Sequence, residues 1–306
     1  MSRQLSSIVL LGLFCLLGAR APAEETRPDC DRACLQQMLD GYLTAVFKHD
    51  PAAAQLSDDH FATEDTVVIP RGEGFWKNVS GIGAAQGRYF DPVNETAAFL
   101  GLLKQDGQET ITSVRIRVVD HRVSEAEWIT GRLGMGGIGS ENAQGLVQFP
   151  PPHDLLPPAT RASRFLMIAL ANNYFQANKD HDASWLPNDP GCTRVENGIG
   201  QRPATQTAGQ GAAGLGPGCL SGFSGMDRVT TDFALRRFTV VDEEAGMILG
   251  TGIYVRYAGT GRRDNLVSEY FQIRDGKIHG IWSAMHFLPL GAPVVTGWEQ
   301  RHGIWR

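Results

Sequence analysis

The chain has 306 residues, a formal charge of -5, 42% hydrophobic residues and 20% charged residues, enough for one large or two small domains with sizeable cores. That balance excludes a disordered tail protein and a disulfide-only miniprotein. With 28 Lys and Arg against 33 Asp and Glu, and no basic run longer than Arg236-Arg237, the chain lacks the positive stripe that nucleic-acid phosphates require, so nucleic acid is not an expected partner.

Residues 1–23 read as an export signal. Arg3 precedes an apolar run from Ile8 to Ala19, and Ala21-Pro22-Ala23 supplies the small-x-small cleavage pattern. As a helix that run reaches only about 18 Å, against a bilayer core of about 30 Å, so no stable membrane span is expected after cleavage. An exported, periplasmic or extracellular protein follows. Loss of Cys15 leaves Cys30, Cys34, Cys192 and Cys219, an even set in an oxidising compartment. Three pairings exist on paper; Cys30 with Cys34 and Cys192 with Cys219 are favoured, and the spacing fits no zinc knuckle or finger.

From Asp31 to Lys48, Leu35, Leu39, Tyr42, Leu43 and Val46 fall on one helical face, and His49-Asp50-Pro51 ends the helix. Glu64 follows in a polar segment. Arg71, Trp76, Arg88 and Tyr89 then offer charge and rings suited to a carboxylated or phenolic ligand, or to an interface. Residues 111–118 and 122–130 form a hairpin that carries Arg115 and Glu127. A Pro- and Gly-rich linker, 132–160, comes next.

The second half repeats the first. Ser163 to Lys179 has the same helical pattern and ends at His181-Asp182; Tyr42 and Tyr174, His49 and His181, and Glu64 and Glu196 are each 132 positions apart. Arg194 and Glu196 lead into an inserted loop at 198–225. The strand half aligns at a shift of 151 from Asp91 to Asp242, then 155 from Asp120-His121 to Asp275-Gly276. Asn265 to Arg274 and Lys277 to Phe287 form a hairpin around Asp275-Gly276. Period two puts Trp282, Ala284 and His286 on one face and Ile281, Ser283 and Met285 on the other; Glu269 is noteworthy on the preceding strand. At matching positions the first copy has Glu127 for Trp282 and Arg115 for Tyr270, which predicts a more charged first cavity.

The order of helix, terminal His-Asp, polar segment and a long hairpin ending Glu-Tyr-Phe-Gln-Ile-Arg-Asp-Gly-Lys-Ile resembles the SnoaL-like, nuclear-transport-factor-like superfamily, well over 161–290 and fairly over 30–131. The resemblance implies an α+β protein of two tandem cone-shaped domains, 24–131 and 161–290, with a tail at 291–306. Each domain would set N-terminal helices against a strongly curved antiparallel sheet that wraps an apolar pocket. The two copies would pack as an internal pseudo-dimer within a monomer, or the chain would form a homodimer. It also implies that Tyr42 or Tyr174 donates to a developing enolate and that Glu64 or Glu196 carries the proton. His286 would play the part that histidine plays in scytalone-dehydratase-like members.

The candidate catalytic residues are therefore Glu196, His286, Tyr174, Glu64, Tyr42, His181 and His49. Arg71, Trp76, Arg88, Tyr89, Arg115, Glu127, Arg194, Tyr270 and Trp282 are the candidate ligand-binding residues. His49 and His181 equally suit helix-end carbonyls. Scattered histidines without HxH or HExxH, and the absence of a phosphate-binding loop, leave no metal and no cofactor expected. The expected function is cofactor-independent proton transfer on a small aromatic or polycyclic carbonyl or hydroxyl compound, as a lyase, dehydratase or isomerase. A non-catalytic ligand-binding or envelope assembly protein is the alternative.

Overall fold

A computed structural model describes residues 29–131, 142–201, 218–220 and 230–302. The predicted signal segment, the start of the linker and most of the inserted loop lie outside the described residues.

The first unit begins with α1 (Arg32–Phe47), whose N-cap Asp31 accepts from the Cys34 amide and whose buried stripe is Leu35, Leu39, Tyr42, Leu43, Ala45 and Val46. His49 follows at φ 56°. The strands are β1 (Leu56–Glu64), β2 (Val67–Val68), β3 (Val79–Asp91), β4 (Thr96–Gln105), β5 (Gln108–Val119) and β6 (Arg122–Thr130), with the short α2 (Phe75–Asn78) before β3. Hydrogen bonding orders them β2-β1-β6-β5-β4-β3. Between the units stands α3 (Ala143–Gln148).

The second unit repeats this plan. α4 (Arg164–Asp180), capped by Ser163, ends at His181 with φ 58°. β7 (Asn188–Glu196), β8 (Ile199–Gln201), β9 (Thr230–Asp242), β10 (Met247–Arg256), β11 (Asn265–Arg274) and β12 (Lys277–Phe287) are ordered β8-β7-β12-β11-β10-β9. Asp275 and Gly276 both have positive φ, as do Asp120 and His121 in the matching turn, the backbone that a tight two-residue hairpin requires. A short α5 (Trp298–His302) closes the described chain. Among the described residues no helix is long and apolar enough to cross a membrane.

The predicted strongly curved antiparallel cone is corrected. Each sheet is open, with edge strands β2 and β3, or β8 and β9, that do not meet. Each is also mixed, since β1 pairs with β6 and β7 with β12 in parallel. The physical reason lies in how the second face is covered. α1 and α4 pack on one face of their sheets. The opposite faces meet through Ala98, Leu100, Leu102 and Ile111 against Leu249, Tyr270, Trp282 and Ala284. A sheet sealed by its twin need not wrap on itself to hide apolar surface.

The contact between units is reciprocal. Arg164 at the start of α4 pairs with Asp91 at 2.7 Å, and Arg32 at the start of α1 pairs with Asp242 at 2.7 Å. Asp91 also accepts from the Val241 amide, and Asp242 from the Phe90 amide, each at 2.9 Å. Such exchange of equivalent contacts is the mark of an isologous, two-fold interface, here built inside one chain.

Candidate active site in the second unit

Register places four cross-strand neighbours in a row on the helix-facing side of the second sheet: Gly250, Glu269, Ser283 and Glu196. Directly opposed residues on adjacent strands share a face, and Glu269 lies between Val267 and Phe271, which belong to the core under α4. The matching row in the first unit is Phe99, Val114, Trp128 and Glu64. The first interior is thus filled by rings and the second carries charge, the reverse of the expected more charged first cavity, because Arg115 and Glu127 lie on the opposite sheet face.

Around Glu269 stand Arg194, Glu196, Tyr174 and Tyr254, all buried. Arg194 Nε lies 3.5 Å from Glu196 Oε1, and its Nη1 donates to the Cys219 carbonyl at 2.9 Å. The Cys192–Cys219 disulfide therefore ties that carbonyl to β7 beside the guanidinium. The Tyr174 hydroxyl bonds Arg194. Burial, with the carboxyl groups of Glu269 and Glu196 nearby, pushes the Tyr174 phenol up, against the pull of Arg194.

Glu269 is the anomaly. It is completely buried, and among the described residues neither carboxyl oxygen has a partner at good hydrogen-bond geometry; the same holds for Ser283 Oγ beside it. Burial, reinforced by Glu196, raises the Glu269 carboxyl well above its usual range, more than Arg194 and Tyr254 lower it. A carboxyl pushed toward its protonated form, beside a second carboxyl paired with arginine, can give a donor and an acceptor from two chemically identical groups.

The predicted residues fall into separate places. Tyr174, Glu196 and Arg194 come together here. Tyr42 lies at the equivalent place in the first unit, but its hydroxyl accepts from Trp128 Nε1 at 3.1 Å, and Trp76 packs edge-on at 5.7 Å. Glu64 Oε2 accepts from the Phe75 amide at 3.0 Å. The ring nitrogens of His49 and His181 bond the Trp76 and Thr230 carbonyls at 2.6 and 3.0 Å, fastening the helix ends.

Others lie on the opposite sheet face or at the periphery. Tyr270 donates to the Phe99 carbonyl at 3.1 Å, Trp282 to that of Phe149 at 2.9 Å, and Tyr89 to that of Pro152 at 2.7 Å, all between the units. Arg88 pairs with Asp40 at 2.8 Å, while Arg71 reaches the Ser57 carbonyl at 2.9 Å. Arg115 pairs with Glu125 at 2.6 Å and stacks over Trp298 at 4.7 Å. Glu127 binds Arg237 at 2.6 Å and Trp298 Nε1 at 2.9 Å. Burial opposes the charge on Glu127, but Arg237 and Arg115 hold it below the usual carboxylate range. This network borders a cleft of about 730 Å³ between the units. His286 lies 3.2 Å from Asp65 in another cleft.

Glu269 and Tyr254 lie outside the predicted site set. The signal for Glu269 is present in Val267-Ser-Glu-Tyr-Phe271, where period two sets a carboxyl among residues of the apolar face. Tyr254 carries no such mark.

Cys30 and Cys34 form the second disulfide. Among the described residues, the group close enough to hold a metal is this pair with His121, and its sulfurs are bonded to each other rather than free as thiolates. Two disulfides fit an oxidising, non-cytoplasmic environment.

Residues 160–285, within the second unit, match a domain of unknown function, DUF8021. No curated protein matches the chain. Three solved structures are similar at low identity. An NTF2-like protein of unknown function from Cytophaga hutchinsonii aligns at 10% identity over 31% of this chain and 88% of its own, with a TM-score of 0.27. A protein of unknown function with a cystatin-like fold from Methylobium petroleophilum aligns at 11% identity over 44% of this chain and 100% of its own, with a TM-score of 0.30. The candidate hydroxylase AclR from Streptomyces galilaeus aligns at 13% identity over 49% and 98%, with a TM-score of 0.24.

Proposed function

We propose that the interior of the second unit binds a small aromatic or polycyclic carbonyl or hydroxyl compound and moves a proton on it without a cofactor, as a lyase, dehydratase or isomerase. The observation that carries this reading is Glu269, a buried carboxyl whose oxygens meet no partner at good hydrogen-bond geometry among the described residues, with Tyr254 beside it and Glu196 across Ser283. An unsatisfied buried polar group costs about 1–3 kcal/mol. A substrate oxygen at that spot relieves the cost.

In this reading Glu196 takes a proton from carbon next to a carbonyl or hydroxyl-bearing centre, and Glu269 donates to the oxygen. An isomerisation returns the first proton to another carbon; a dehydration releases the hydroxyl with the Glu269 proton as water. The positive charge of Arg194 steadies Glu196 and the developing oxyanion. Export belongs to the same proposal and is supported by the disulfides, one of which positions the Arg194 acceptor. A monomer with its pseudo-dimer interface satisfied internally is the proposed state.

The test is native mass spectrometry of protein purified without denaturation, with released compounds identified and returned as substrates to the wild type, Glu269→Gln and Glu196→Gln. The proposal expects conversion by the wild type and its loss in both variants with folding intact. A bound compound that the wild type never converts indicates a binding or assembly protein.

A further inference from the structure

We infer that the cleft between β1–β2 of the first unit and the end of β12 is a second small-molecule site, in which Asp65 orients His286 to accept a hydrogen bond from an apolar alcohol or phenol. It stands apart from the Glu269 interior and from the reading given to it.

Here the two units break their symmetry. The turn after β1 and the turn after β7 are the same device. Asp65 N donates to the Trp128 carbonyl at 2.9 Å and Asn197 N to the Ser283 carbonyl at 3.1 Å. Asp65 Oδ1 accepts from the Thr130 amide at 2.8 Å, and Asn197 Oδ1 from the Met285 amide at 2.7 Å. In the second unit the amide end of Asn197 completes the corner by donating to the Met285 carbonyl at 2.9 Å. A carboxylate cannot donate that bond, so the turn by itself favours asparagine.

The aspartate is matched elsewhere. Its Oδ2 lies 3.2 Å from His286 Nδ1. By the repeat offset of 155 the residue matching His286 is Gly131, where any Cβ would meet Asn197 Oδ1 at 2.6 Å. Asparagine with glycine on one side has become aspartate with histidine on the other. Both members of the new pair are more than four-fifths buried, and both line a cleft of about 590 Å³ with Val67, Ile69, Leu288 and Val295. The contact is an ion pair and not an aligned hydrogen bond, and the carboxylate's charge beside Nδ1 favours the proton there and leaves Nε2 as the acceptor. Apolar walls with few convergent polar groups suit a small ligand, and Glu64, also on the lining, turns away anions.

Asp65 is a positioning residue in this account, so its test must read the imidazole itself. Imidazole nitrogen NMR on the full chain, with phenol as the probe and His286→Gly to assign the signals, gives that reading. We expect His286 as the Nδ1–H tautomer and a saturable shift of its Nε2 resonance on adding phenol. Asp65→Asn keeps a fold that Asn197 already supports, yet is expected to lose the tautomer preference and bind phenol about tenfold more weakly. A His286 signal that ignores phenol, or an Asp65→Asn protein with unchanged tautomer and affinity, overturns the inference.

Discussion

The two interiors of this protein share a backbone and differ in what they hold. Under α1, Ala62, Leu103, Val114 and Trp128 fill the space; at the equivalent places under α4 stand Arg194, Tyr254, Glu269 and Ser283. The tyrosine common to both helices takes part in both, yet Tyr42 is bonded to an indole and Tyr174 to a guanidinium. The first interior thus shows what the scaffold needs for stability, and every polar addition in the second is a departure from it. The equivalent histidines that tie the helix ends to the Trp76 and Thr230 carbonyls belong to the scaffold by the same comparison.

The largest expected effect comes from removing the departure. Glu269→Gln should lower conversion of the recovered compound by about 10²–10⁴-fold while near-ultraviolet circular dichroism stays native. Importing the departure into the first unit should instead damage stability: Val114→Glu buries a carboxyl with Ala62 where the second unit has Arg194, at a cost of about 3–5 kcal/mol in urea unfolding. Trp128→Ser, which removes the ring that fills the first interior, should cost about 3–5 kcal/mol by the same measurement.

A smaller effect is a slope with pH. The folded Glu269 carboxyl is raised above its unfolded value, so between those two values the folded chain binds the extra proton. Stability from this group is full below the ordinary carboxylate range and falls as pH rises toward the folded value. Melting temperatures of Glu269→Gln against the wild type across that window should lack this decline; parallel curves would argue against the raised carboxyl. The smallest effect is expected for His49→Ala and His181→Ala, about 1 kcal/mol each, with conversion by the folded protein unchanged. Loss of conversion in His181→Ala alone would remove that residue from the scaffold.

The duplication was legible because residues tied to backbone geometry repeat at fixed spacing: the tyrosine on the helix, the histidine at its end and the hairpin turns. The openness of the sheets was not, because it depends on the reciprocal contact of Asp91 and Asp242 with helix starts in the opposite unit, far apart in the chain. Nor was the parallel pairing of β1 with β6. Tyr174 and Glu196 were legible as candidate catalytic residues and Arg194 as a neighbouring ligand-binding candidate. Glu269 was legible only in part, since alternation put it on the apolar face, but its isolation depends on which groups stand across the strands. Asp65 with His286 joins two units and has no local signature at all.

The protonation state of Glu269 tests the central claim most directly. Infrared spectra across a pH series, with Glu269→Gln subtracted from the wild type, isolate its carboxyl band. The account predicts a protonated carboxyl at neutral pH that is absent from the variant and shifts when the recovered compound binds. An ionised Glu269 at neutral pH, or a band indifferent to the ligand, would contradict it.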